Sequence, residues 1–270
     1  MINNLHHEGV IPYHQLLLIF LFLLVVGYLA AVIHLQHKRK NWSIIKFYYW
    51  LMGVTCISLA FVGPIASQAH HHFMYHMIGH ILLGMLGPLL LVLASPITLL
   101  FNILPVKYAR KLAAILKGWP FKILSEPIVT TFLNVGGLWI LYTTDLFSLM
   151  HENAMIASLI HLHMFLAGYA FTFSILCIDS SAHKTSFPYR ASILILAIAA
   201  HGILSKLLYV HPPSGITRNE AELGALVMYY GGDVIDLGLI FILCLQWYRV
   251  RGRKLEKIPK KTTNSMKESF

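Results

Sequence analysis

Long apolar runs alternate with short polar stretches along the whole chain, and each run approaches the ~20 residues a helix needs to cross a bilayer. Seven spans are predicted, over residues 14–33, 44–63, 73–100, 127–145, 155–177, 191–210 and 223–247. Proline punctuates them. Pro64 closes the second, Pro88 predicts a kink inside the third, and Pro127 opens the fourth at a first helical position. Between the third and fourth runs, Leu104, Tyr108, Leu112 and Ile115 share one helical face, while Lys107, Arg110, Lys111 and Lys117 surround the other. That pattern predicts a cytoplasmic helix lying in the interface, with its basic face on anionic headgroups. The predicted fold is therefore all-α: a polytopic bundle of seven transmembrane helices forming one domain over residues 1–250. A basic and polar tail over 251–270 follows it, and no internal repeat is visible.

The polar connections orient the bundle. His37-Lys38-Arg39-Lys40, the Lys107–Lys117 segment, His183, Lys184 and Arg190, and the group Arg249, Arg251, Arg253 and Lys254 fall on one side of the alternation. The opposite connections hold almost no Lys or Arg, Arg218 being the exception. The excess of positive charge belongs inside, so the N-terminus is expected outside and the C-terminus in the cytoplasm. The first apolar run has no basic stretch before it and a positive cluster after it, as expected of a retained helix and not of a cleaved signal peptide.

Composition narrows the function. The chain is 57% hydrophobic and 12% charged, about half the charge of a soluble domain. Lipid is its expected solvent. Seven spans use nearly all of the 270 residues, which leaves no separate catalytic domain and argues against work on large substrates. The net charge of +10 sits in particular loops and not along a stripe, so nucleic acid is not an expected partner. Cys56, Cys177 and Cys244 lie in or beside apolar runs without a CxxC, which reads as small buried side chains with no thiolate metal-transfer motif.

The sixteen histidines are distributed unevenly. Only His34, His37 and His183 belong to the cytoplasmic side; the rest fall in the outer loops or the outer-to-middle part of the spans. In the densest segment, residues 70–80, His72, His76 and His80 recur every four residues and so stack along one helix face. His76 and His80 are spaced to chelate one ion. Met77 stands where a zinc peptidase would need its general-base glutamate, and thioethers suit Cu(I) better than zinc. His161, His201 and Asp233 carry polar groups to comparable depths on three other spans, and Met164 shares the His161 face. His163 is turned about 200° from His161. Intramembrane ionisable groups normally face the bundle interior. The metal candidates are therefore His76, Met77, His80, His161, His201 and Asp233, with His72, His163 and Met164 as secondary ones. A structural alternative pairs His201, Lys206, Asp233 and Asp236 between helices. The outer His6, His7, His70 and His71 are either weak metal collectors or ordinary solvated loop residues.

Several of these stretches resemble one family. His76-Met77-Ile78-Gly79-His80-Ile81-Leu82-Leu83, Gly87-Pro88-Leu89-Leu90-Leu91 and Ala94-Ser95-Pro96-Ile97-Thr98-Leu99-Leu100 are similar to the CtaG family of membrane assembly factors for bacterial caa-type cytochrome c oxidase. So are Gly137-Leu138-Trp139, the segment from His161 to Gly168, and the segments from Leu223 to Met228 and from Gly232 to Leu237. Where family members often have a further histidine four residues before His161, this chain has Ala157. The resemblance implies a non-enzymatic, multi-pass protein of the bacterial cell membrane that matures a haem-copper oxidase. Its cargo would be copper, as Cu(I) and bound transiently. Its partners would be the oxidase subunits and a copper chaperone. Among the motif positions, His76, Met77, His80, His161 and Asp233 are the ones it implicates. A copper permease and a b-type haem protein with two axial histidines remain alternatives. No nucleophile–base arrangement supports a membrane hydrolase.

Overall fold

A computed structural model describes residues 13–69, 71–179 and 185–256, and all regular structure among them is helical. His6, His7, His70, His183, Lys184 and the tail from 257 lie outside the described residues. In chain order, α1 is Tyr13–His37, α2 Ile44–Phe61, α3 Pro64–Ala69 and α4 Phe73–Ile81. A π-helical segment, Leu82–Leu86, joins α4 to α5, Gly87–Ala94; α6 follows at Pro96–Ile103, α7 at Val106–Lys117 and α8 at Trp119–Leu124. A second π segment, Phe132–Gly136, joins α9, Pro127–Thr131, to α10, Gly137–Thr143. The rest are α11, Leu146–Glu152, α12, Ala154–Leu176, α13, Phe187–Val210, and α14, Arg218–Glu256.

Among the described residues, six helical segments are long and apolar enough to cross a membrane: α1, α2, α4 through α6, α12, α13 and α14. The α9–α10 unit, Pro127–Thr143, is apolar but shorter. The exposed surface is lipid-like. On α1, Ile19, Phe20, Phe22 and Leu23 are all more than half exposed, as are Val234, Leu237 and Phe241 on α14. Burying such faces in lipid leaves each helix's backbone satisfied internally, which a bilayer requires.

The predicted third span, 73–100, is broken. Ser95 adopts a left-handed conformation (φ 55°), and Pro96 starts α6 as a new helix. Pro96 has no N–H to continue the ladder, and it disfavours α-helical geometry at the residue before it. The new N-terminus is satisfied from a distance. Buried Asp179, just beyond α12, accepts from the N–H groups of Ile97 (2.8 Å) and Thr98 (2.7 Å) and from the Thr98 hydroxyl. At the same end Lys40 Nζ donates to the Asn102 carbonyl, Arg190 Nη1 donates to that of Ile175, and Tyr189 donates to Glu126. This end carries most of the described basic side chains.

The first π segment has a local cause. Pro88 has no N–H for the carbonyl four residues back, and its ring crowds that carbonyl. Widening the turn relieves the clash. The helix α4 packs on α14, the π segment and α5 pack on α12, and α13 runs along α14. These contacts enclose the face of α4 that carries Phe73, His76, Met77 and His80.

The amphipathic α7 is only partly packed on the bundle. Leu116 is buried, Leu112 and Ala113 are half-buried, and Val106, Tyr108 and Ile115 are exposed together with Trp119 of α8. The apolar residues divide between the bundle and the outside.

Candidate functional site

The inward face of α4 carries Phe73, His76, Met77 and His80, all buried, at the three-and-four spacing of one helical face. His80 is 2% exposed. Its Nδ1 lies 3.1 Å from Met164 Sδ on α12. A thioether sulfur only accepts, so Nδ1 carries the proton and Nε2 presents its lone pair. That Nε2 is buried without a hydrogen-bond partner. Facing it is His201 of α13, 5% exposed, whose ring centre is 6.2 Å from that of His80 at an interplanar angle of 25°. His201 Nε2 is also buried and unpartnered. An unmatched buried polar atom costs about 1–3 kcal/mol, so two of them on facing imidazoles from different helices mark a place where a water or an ion would be stabilised.

Glycines make this approach possible. A Cβ on Gly168 of α12 would stand 2.0 Å from the Gly84 carbonyl oxygen, so the π segment lies directly on α12. A Cβ on Gly84 would meet Met164 Cγ at 3.2 Å and the His80 ring at 3.5 Å. On α14, a Cβ on Gly232 would stand 2.6 Å from His201 Cε1. Gly84 and Gly168 close the space on one side of the two imidazoles and Gly232 on the other. Sequence reading did not single out these glycines. Their spacing to the histidines gives no signal until the helices are placed.

One turn toward the histidine-rich end, Tyr142 Oη lies 3.1 Å from His76 Nε2 and 3.8 Å from Met77 Sδ, joining the two. Beyond His76 an open cavity of about 360 Å³ is lined by His71, His72, Phe147, His151 and Glu152 among others. The His76 and His151 rings are 6.2 Å apart. His72 Nδ1 is 2.9 Å from Glu220 Oε1, and Glu220 Oε2 accepts from the Phe73 N–H at 3.1 Å, so α14 caps the start of α4.

The remaining predicted residues are placed differently. His161 is half-buried and meets Phe61 edge-on at 5.5 Å; Met164, one turn deeper, is the α12 side chain that reaches His80. His163 is exposed, and its Nε2 donates to the Leu133 carbonyl (3.1 Å) in the second π segment. Asp233 is half-buried beside Gly232, an electrostatic neighbour of His201 and of the buried Asp236. Lys206 rests over the Tyr229 ring at 5.3 Å. Among the described residues no three His, Cys, Asp or Glu side chains converge as a ready-made metal centre. The donors brought together at His80 are two imidazoles and a thioether.

Comparison with known proteins identifies the family of the chain. The family described as cytochrome c oxidase caa3 assembly factor (Caa3_CtaG) matches residues 26–250. An uncharacterized protein of Mycobacterium bovis is 30% identical over 187 residues, covering 66% of this chain and 28% of its own length. One of Mycobacterium leprae is 26% identical over 185 residues, covering 65% and 28%. The chain thus spans less than a third of the curated relatives it matches. No solved structure matches. The match takes in every helix from within α1 to the body of α14, and with six spans long enough to cross a bilayer the chain is a multi-pass membrane protein that belongs to the cytochrome c oxidase caa3 assembly factor family.

Proposed function

We propose that the protein presents Cu(I) to a haem-copper oxidase during its assembly, holding the ion between His80 Nε2 and His201 Nε2. Supporting this is the pair of buried, unpartnered imidazole nitrogens on facing helices. Met164 fixes the His80 tautomer through its sulfur, at the ring nitrogen opposite the one offered to the ion. Neutral imidazole nitrogens suit copper. A ligand whose other ring nitrogen is held by an acceptor is the usual arrangement around a metal-bound histidine. No bond of the cargo is made or broken, so the role is one of binding and release without turnover chemistry.

In this reading α9–α10 is the seventh crossing, thinning the bilayer locally to make up for its short length. The lysine- and arginine-rich end faces the cytoplasm, and the vestibule faces outward with the N-terminus. Residues 1–250 act as one membrane domain, and α7 with Trp119 sits at the cytoplasmic interface. Release toward the outer side is favoured over import because the opposite half of the bundle is filled by apolar side chains. Ile175, Leu176, Leu194 and Leu243 are almost wholly buried there. A haem between the histidines is disfavoured by the glycine contacts, since even a Cβ on Gly232 would crowd His201.

The test is oxidase assembly in a strain lacking the gene. His80→Ala and His201→Ala should each fail to restore oxidase activity while accumulating in the membrane normally, and added copper should partly rescue the loss. Full complementation by the double variant without added copper would refute the reading.

A further inference from the structure

The outer vestibule lies outside the site just described, and four of its lining side chains are histidines. Two of them are prepared in the same way. His151 Nδ1 is 2.9 Å from the Phe147 carbonyl and His72 Nδ1 is 2.9 Å from the Glu220 carboxylate. Both acceptors lack protons, so each Nδ1 carries one, and a ring in its neutral form has its lone pair on Nε2. An imidazole held by a backbone carbonyl or a carboxylate on one nitrogen is oriented to coordinate through the other. His76, buried at the floor, stands with its ring centre 6.2 Å from that of His151. Two imidazoles sharing one ion stand about 6 Å apart, given a metal–nitrogen distance of about 2.0 Å. Phe147 and Phe73 pack against His76 at 5.3 and 5.9 Å, giving the floor an apolar wall. Such a wall disfavours a strongly hydrated divalent ion and tolerates a soft monovalent one, for which two donors suffice.

We propose that the vestibule is a second, weaker Cu(I) site, a capture station in which His151 binds the ion through Nε2, His76 joins by exchanging its Tyr142 contact for the ion, and His72 attracts it at the mouth. The inference rests on the copper reading of the His80–His201 pair, into which the station would feed. His76 and His80 are one helical turn apart, so transfer covers about 6 Å along α4. The sequence offered His72 and His76 but not His151, which reaches the cavity from α11, 75 positions away along the chain from His76.

The test is titration of the purified full chain in detergent with Cu(I) against a competing chromogenic chelator, repeated with Ag(I) as a redox-inert probe. Wild type is expected to take up two ions of unequal affinity. His151→Gln should lose the weaker one and load the remaining site about tenfold more slowly, on the scale of losing a ligand's supporting contacts. His151→Met, which keeps a soft donor on the same exposed helix, should retain both ions. The His80→Ala/His201→Ala variant should lose the tighter ion and keep the vestibule one. Two ions and wild-type loading in His151→Gln would overturn the capture station and leave the inner site standing. A single ion in wild type, lost only in the inner double variant, would do the same. Loss of one ion in His151→Gln but none in the inner variant would instead remove the inner site, and no ion in wild type would remove both.

Discussion

Replacing Gly168 with alanine adds one methyl group, yet it should disturb the site more than many larger changes. The new Cβ would lie 2.0 Å from the Gly84 carbonyl oxygen and 3.3 Å from Pro88 Cγ. Real Cβ atoms essentially never approach below 3.0 Å, so α12 must retreat by at least about 1 Å, because packed interiors yield little. The obstacle is backbone in a π turn fixed by Pro88, not the end of a flexible side chain. Overpacking of this kind costs about 1–3 kcal/mol. Met164, one turn from Gly168, moves with the helix, and its 3.1 Å contact to His80 Nδ1 opens. Gly79→Ala is the control: a Cβ there meets nothing within 4 Å, and alanine in a helix interior is stabilising by roughly 0.5–1 kcal/mol. Both variants would be followed by thermal unfolding in detergent and by Cu(I) competition. Gly168→Ala should unfold several degrees below wild type and hold the tighter ion more weakly; Gly79→Ala should do neither. Equal melting temperatures and equal affinity in the two variants would refute the claim that the glycine contact sets the site.

Two further outcomes are expected. Asp179→Ala strands the N–H groups of Ile97 and Thr98 at a half-buried helix start, costing at most about 1–3 kcal/mol for each group left unmatched; Asp179→Asn, which keeps one acceptor oxygen, should lose roughly half as much stability, read by the same unfolding assay. Tyr142→Phe removes the hydroxyl beside His76 Nε2 and Met77 Sδ and should cost about 0.5–1.5 kcal/mol, with any effect on Cu(I) confined to the weaker ion in chelator competition.

Much of the architecture was legible because a bilayer imposes it. Apolar runs of spanning length predicted α1, α2, α12, α13 and α14 closely, and the charge asymmetry among the loops corresponds to one basic end of the bundle. The break at Ser95 was not read, although Pro96 was in view. Proline is tolerated inside transmembrane helices, and only Asp179, arriving from beyond α12, makes a new helix start there affordable in hydrogen bonds.

The site was legible on α4 and obscure elsewhere, for one physical reason. In a soluble helix the polar face marks the outside, so rotation can be read from the sequence. In α12 both faces are apolar, and the inward side is set by close packing at Met164, Ala167, Gly168 and Phe171. His161 therefore looked like the natural partner of His80 by depth, whereas Met164, one turn further along the same face, is the side chain that reaches it. The same holds for His163, whose ring turns to the Leu133 carbonyl of a widened turn that no periodicity announces. What could be read without coordinates is the chemistry available at each depth; which atoms face one another follows from Gly84, Gly168 and Gly232, where the absence of a side chain brings three helices within reach of two imidazoles. The proposed Cu(I) binding would thus depend on residues with no donor atoms as much as on the histidines. Substitution at Gly168 or Gly232 should weaken binding while leaving every proposed ligand in the chain.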